Sequence, residues 1–254
     1  MGKKDDMLNK VWYNNNGERM TIVRYGGTRD IDVQFDDGTV VEHREYSAFK
    51  KGQIKNPMTP SVYGIGFIGK GKFKTKDKNG KNTKCYDTWV RMLQRCYDPK
   101  YQEKNPTYKG CTVDKRWHNF QNFAKWYYEN YYEFGNDERM ELDKDILNKG
   151  NKVYSAETCV FVPQFINKLF IKRDVTRGDL PIGVTKHKDK FKAQLNKGNG
   201  KAIYLGRYTT SEEAFQVYKN AKEDYIKEVA ENYKLQLPHR LYKAMMKYEV
   251  KITD

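Results

Sequence analysis

Between residues 141 and 170 the chain places Asp143 and Asp145 two positions apart, then a loop from Asn148 to Thr158, then Cys159-Val160-Phe161-Val162-Pro163 and Asn167. If Leu142 to Leu147 is a strand, the two aspartates share one face and Lys144 points away. Asn167, on a helix after a second strand, would close the site from the other side. Two carboxylates and an amide oxygen suit a hard divalent ion, Mg2+ or the similar Mn2+. Such an ion polarises a phosphate for attack by water. The metal candidates are therefore Asp143, Asp145 and Asn167, in a strand, long loop, strand, helix order.

A phosphate substrate needs cations to hold it, and the charge is distributed accordingly. The 254 residues carry 48 Lys and Arg against 33 Asp and Glu, a formal net charge of +15. Residues 61–110 hold 12 basic and 4 acidic side chains, and residues 181–209 hold 7 and 1, whereas residues 111–180 hold 11 of each. A solvated surface mixes its signs; clustered cations point to a polyanion, whose condensed counterions are released on binding. No stretch approaches the ~20 apolar residues of a spanning helix. The opening Met1-Gly2-Lys3-Lys4-Asp5-Asp6 has no apolar run of the kind a secretory leader needs. Four cysteines without a CxxC pair read as reduced thiols, and together these features predict a cytoplasmic protein that does not enter membranes.

The elements that position these groups follow from periodicity, and they predict a multidomain α+β chain. Over residues 10–57, Met20 to Tyr25 and the alternation of Ile31, Val33 and Phe35 with polar neighbours predict strands, joined at Asp37-Gly38 by a hairpin turn. A small SH3-like β barrel fits. Residues 58–84 hold Gly64, Gly66, Gly69 and Gly71 and seven lysines from Lys70 to Lys84. They read as an extended basic ribbon, with Lys70, Lys72 and Lys74 along a DNA backbone, or as a linker or hairpin tip. Over residues 85–172, Trp89, Met92, Leu93 and Cys96 recur at helical spacing, as do Trp117, Phe120, Phe123, Ala124, Tyr127 and Tyr131; such stripes are core. Cys96, Cys111 and Cys159 with His118 are too irregularly spaced for a zinc site.

Residues 181–235 predict three strands and a helix: Gly183 to Lys188, Phe191 to Leu195, and Ala202 to Tyr208, with a turn at Asn196 to Gly200. Thr210 and Glu213 form a capping-box start. Phe191, Ala193 and Leu195 face the helix, so Lys190, Lys192 and Gln194, with Lys186, Lys188 and Arg207, are expected on an exposed cationic face. A short antiparallel sheet can enter the major groove of duplex DNA. Residues 236–254 are a tail with one short helix.

Two resemblances follow from these residues. Gly183-Val184, Phe191-Lys192-Ala193, Tyr204-Leu205-Gly206-Arg207-Tyr208-Thr209-Thr210 and Glu213-Ala214 resemble the AP2-type DNA-binding domain. That resemblance implies a DNA-reading sheet on one helix. Residues 85–170, through Trp89, Met92, Arg95-Cys96-Tyr97, Trp117 to Trp126 and the Asp143 to Asn167 stretch, resemble the HNH (His-Me finger) homing-type endonucleases common in bacteriophages. It implies a Mg2+-dependent endonuclease on double-stranded DNA, working in a host bacterial cytoplasm, with Asp143 and Asn167 as ligands. The family's His falls on Lys144, or on Asp145 if the alignment slips by one. Lysine needs a strongly lowered pKa to act as a base. The missing histidine keeps a second expectation open, an inactive HNH-like DNA-binding protein acting as a regulator or anti-host factor. An RNA- or protein-binding role for the N-terminal module is a third.

Overall fold

Apolar residues at alternate positions become the inner face of a meander. In the computed structural model, which describes residues 6–135, 138–171, 178–197 and 202–254, strands β1 (Val11–Tyr13), β2 (Arg19–Gly27), β3 (Asp30–Phe35) and β4 (Val40–Arg44) form an antiparallel sheet in sequence order. Met20, Ile22, Ile31, Val33, Phe35 and Val41 are buried on one side, closed by Phe49 of α1 (Tyr46–Lys50) and by Ile54. The turn at Asp37-Gly38 forms as expected, with the Thr39 N–H donating to Asp37 Oδ1 at 2.8 Å. The expected barrel does not. Closure needs the first and last strands to pair; β1 is three residues long, exposed throughout, and bonded only to β2.

The chain divides into two units, residues 1–109 with 113–125 and residues 110–112 with 126–254. Together the elements make an α+β fold. In the first unit, α2 (Lys84–Tyr97) starts at Thr83, whose hydroxyl accepts from the Tyr86 N–H at 3.2 Å. The short α3 (Pro99–Lys104) follows. The aromatic stripes are core, as their spacing predicts: Trp89, Met92, Leu93, Trp117, Phe120 and Phe123 are all buried. The Trp89 indole satisfies its N–H on the Trp117 carbonyl at 2.7 Å.

Residues 58–75 form no strand, so the extended basic ribbon is absent. The segment is instead a fitted strap. Gly66 lies against Leu93 and Trp89, where a Cβ would stand 2.4 Å from Leu93 Cδ1. Gly71 lies against Gln121, whose carboxamide accepts from the Phe73 N–H and donates to the Phe73 carbonyl, both at 3.0 Å. The hairpin-tip alternative holds for residues 76–82, where Lys76 pairs with Asn82 around an Asp77-to-Gly80 turn.

In the second unit, the strands are β6 (Met140–Asp143), β7 (Val153–Tyr154) and β8 (Val160–Pro163); β5 (Thr112–Val113) and α4 (Phe120–Asn130) precede them in the chain, each divided between the two units. β6 pairs antiparallel with β8, Asp143 opposite Val160, and α5 (Gln164–Asn167) follows β8 directly. Further on, β9 (Val184–His187), β10 (Lys190–Asn196) and β11 (Ala202–Tyr208) form a sheet in the order β11-β10-β9. It is followed by α6 (Ser211–Asn232) and α7 (His239–Met246). The expected turn at residues 196–200 falls partly outside the described residues. The capping box forms at Thr210 and Glu213.

The long α6 serves two cores. Its first half buries Ala214, Phe215 and Tyr218 against Val184, Ala193 and Leu195. Its second half buries Ile226, Val229 and Ala230 with Val160, Val162 and Ile166, and with Leu241 and Met245 of α7. At about 1.5 Å per residue, 22 residues reach ~33 Å, beyond what a three-stranded sheet covers. The residues after 236, expected as a tail, are therefore part of this core.

Candidate nucleic-acid interface

The register of the β9–β11 sheet decides which side chains share its open face, because opposite residues point the same way. Lys192 stands opposite both Thr185 and Arg207, and Lys190 stands opposite His187. Between Ala193 and Gln194 the pairing slips by one, so that Gly206 faces Ala193 and Tyr204 faces Gln194. The extra residue, Leu205, is half-buried against the α6 core, and the bulge aims Tyr204 onto the open side. The face away from the helix therefore carries Lys190, Lys192, Gln194 and Arg207 with His187 and Tyr204. Tyr204 is 55% exposed, and the Lys192 ammonium lies 5.6 Å from its ring centre.

Two expected members are elsewhere. Lys186 pairs opposite Phe191, which puts it on the helix side, because strand alternation excludes it from the face that holds His187. Lys188 sits in the turn between β9 and β10 with φ +57°. His187 and Tyr204 were not among the sequence candidates. Alternation from Lys190 could have found His187, but only the bulge brings Tyr204 round. In the first unit, Lys70, Lys72 and Lys74 are all exposed along the strap.

The acidic candidates are arranged differently from the sequence expectation. β6 ends at Asp143, so the strand geometry that would put Asp143 and Asp145 on one face stops short of Asp145. Asp143 turns the chain: its Oδ1 accepts from the N–H groups of Asp145 and Ile146, both at 2.8 Å. Its second oxygen accepts no hydrogen bond among the described residues. Burial, aided by the charge of Asp145, pushes the Asp143 carboxyl up to about 6. A carboxylate that is costly to ionise, beside a second one, suits a cation with hard oxygen ligands. Asn167 is the last residue of α5, half-buried.

Lys144 is not arranged as a base. Its side chain is buried, its ammonium pairs with Asp145 at 3.1 Å and lies 5.8 Å from the Tyr154 ring centre. Burial pulls its pKa down, but the charge and hydrogen bond of Asp145 outweigh that, and the net shift is upward. A lysine held protonated cannot accept a proton from water. Cys159 keeps its proton too: burial pushes the thiol up to about 12.

A different acidic group escaped the sequence reading. Asp30, Asp32 and His43 gather within ligand distance of one another. Arg24 already satisfies them, its Nε meeting Asp32 Oδ2 at 2.5 Å and its Nη2 meeting Asp30 Oδ1 at 2.6 Å. Hydrogen bonds from Arg24 hold both carboxyls below the usual carboxylate range. A guanidinium between the two carboxylates takes the place a metal ion would need. Arg24 opposite Asp32 on neighbouring strands is the signal that could have shown it.

Set against family models, curated proteins and solved structures, the chain finds no match among any of them. No helix among the described residues is long and apolar enough to cross a membrane.

Proposed function

We propose that this protein binds double-stranded DNA through the open face of the β9–β11 sheet and holds a divalent cation at the Asp143 turn, in the manner of a Mg2+-dependent HNH-type endonuclease. The observation that carries the DNA part is the like-charge pair: Lys192 stands directly opposite Arg207, and neither side chain has an ion-pair partner among the described residues. Opposed like charges cost a sheet stability, and a polyanion relieves that cost. Gln194 and Arg207 bring hydrogen-bonding groups to base edges, and Tyr204 brings a flat ring. The strap lysines offer further backbone contacts within their own unit.

Support for the nuclease part is the order of β6, loop, β8 and α5, the raised Asp143 carboxyl with one oxygen free, and Asn167 on the helix that follows. Asp143 and Asn167 would hold the ion, which would polarise one phosphate oxygen. A second reading, a DNA-binding protein that does not cut, is favoured by one observation: Lys144 is locked in its ion pair with Asp145.

Incubation of the full chain with supercoiled duplex DNA, with and without Mg2+ or Mn2+, separates the two. Metal-dependent nicks that disappear in Asp143→Ala and Asn167→Ala support the endonuclease. Salt-sensitive binding without nicks under either ion leaves the non-cutting reading. A chain that does not bind duplex DNA defeats both.

A further inference from the structure

The last helix, α7, forms one wall of a cleft of about 580 Å3 in the second unit. Five cations line it: Lys149, Arg240, Lys243, Lys247 and Lys251, against two acids, Glu157 and Glu249. Arg240, Lys243 and Lys247 are spaced three and four residues apart, and that spacing puts them on one face of the helix.

Two of the cations build the cleft and three are free in it. The Arg240 guanidinium donates to the carbonyls of Ala156 and Glu157, tying α7 to the loop before β8. The Lys149 ammonium donates to the Glu249 carbonyl at 2.8 Å and to the Asp254 carboxylate, and stacks 5.0 Å from the Tyr248 ring centre. Lys243, Lys247 and Lys251 are exposed, and their ammonium groups have no partner among the described residues. Lys243 and Lys247 are ~6 Å apart along the helix axis.

The cleft also has a definite place relative to the acidic turn. Ile146, Leu147 and Asn148, which line it, follow Asp145 directly in the chain. Tyr248 on its wall has its phenol pushed up by burial first, and further by neighbouring charges that include Asp145.

We propose that this cleft is a second backbone site, in which Lys243, Lys247 and Lys251 grip duplex DNA phosphates beside the Asp143–Asp145 turn. It rests on the DNA-binding reading above and adds to it the element that brings a phosphate to the acidic residues. The β9–β11 face supplies address; the α7 cleft supplies position.

The test is a salt titration of binding to a short labelled duplex of mixed sequence, using the full chain. Three variants are compared with wild type: Lys243→Ala/Lys247→Ala/Lys251→Ala, the same three positions changed to Arg, and Lys190→Ala/Lys192→Ala/Arg207→Ala. The cleft alanine variant is expected to bind about tenfold more weakly or worse. Its slope of log affinity against log salt should flatten by roughly 0.9 for each lost phosphate contact. The arginine variant should keep both affinity and slope, which separates charge from folding. A cleft alanine variant indistinguishable from wild type, while the sheet variant fails, overturns this inference and leaves the DNA-binding reading standing; the cleft then serves some other acidic partner. Wild type that does not bind the duplex overturns both.

Discussion

Lys192 of β10 stands directly opposite Arg207 of β11, and the Lys192 ammonium also lies 5.6 Å from the Tyr204 ring centre. Two cations side by side on a small sheet are a stability cost that folding alone does not explain. Natural chains break local rules of this kind where function requires it. Replacing Arg207 with Thr is therefore expected to stabilise the fold by roughly 0.2–1 kcal/mol while weakening duplex binding. Urea denaturation and a binding titration on the same variant check the two together. Loss of stability together with unchanged binding would remove the sheet from the interface.

The register makes a sharper prediction within one strand pair. Lys190→Ala should weaken duplex binding, because Lys190 shares the open face with Lys192 and Arg207. Lys186→Ala should leave binding near wild type, because Lys186 lies opposite Phe191 on the helix side. Equal losses from the two variants would mean that net charge, not this face, meets the DNA.

Gly183, in the turn just before β9, has φ +78°, and a Cβ there would stand 2.1 Å from Tyr218 Cδ2. The close approach sets α6 against β9. Gly183→Ala combines left-handed strain with overpacking against a ring, each worth about 1–3 kcal/mol. We expect a loss of roughly 3 kcal/mol in chemical denaturation, and duplex binding reduced in step. A variant with wild-type stability would show that Tyr218 moves aside at no cost.

The strands, the capping box and the aromatic core were legible because each depends on local spacing. Phe191, Ala193 and Leu195 alternate, Thr210 and Glu213 are three apart, and Trp89 and Leu93 are one helical turn apart. What was not legible depends on events between elements. Tyr204 reaches the open face only through a bulge, and no spacing in β11 announces one. Asp145 leaves the strand because the Asp143 side chain captures the backbone N–H groups of Asp145 and Ile146. The strap over residues 58–75 reads as a linker from its composition; the structure shows instead that Leu93, Asn119 and Gln121 press against Gly66, Gly69 and Gly71.

That fit has a measurable consequence. Gln121 is buried and spends its carboxamide on both backbone groups of Phe73. Gln121→Leu keeps the volume and removes both of these bonds, which loosens the half-buried strap at Phe73. Trypsin should then cut between Lys70 and Lys84 faster than in wild type, before the rest of the chain is digested. Unchanged cleavage kinetics would show that the glycine contacts alone hold the strap.

Lys222 lies within α6, one turn after Tyr218 and one before Ile226, buried with no hydrogen bond or ion pair among the described residues. Burial lowers its pKa from 10.5 to about 8. Between those two values the unfolded chain holds a proton that the folded chain has released, so stability rises with pH across this window. Below about 8 the folded protein carries an unpaired buried charge, at a cost of order 3 kcal/mol at about 1.36 kcal/mol per pKa unit. Lys222→Met should therefore be more stable than wild type near neutral pH, and the difference should shrink as the pH passes from about 8 toward 10.5. Denaturation curves at both ends of that range decide it. A difference that stays constant with pH would mean that the amine finds water or a partner in solution and that its burial costs nothing.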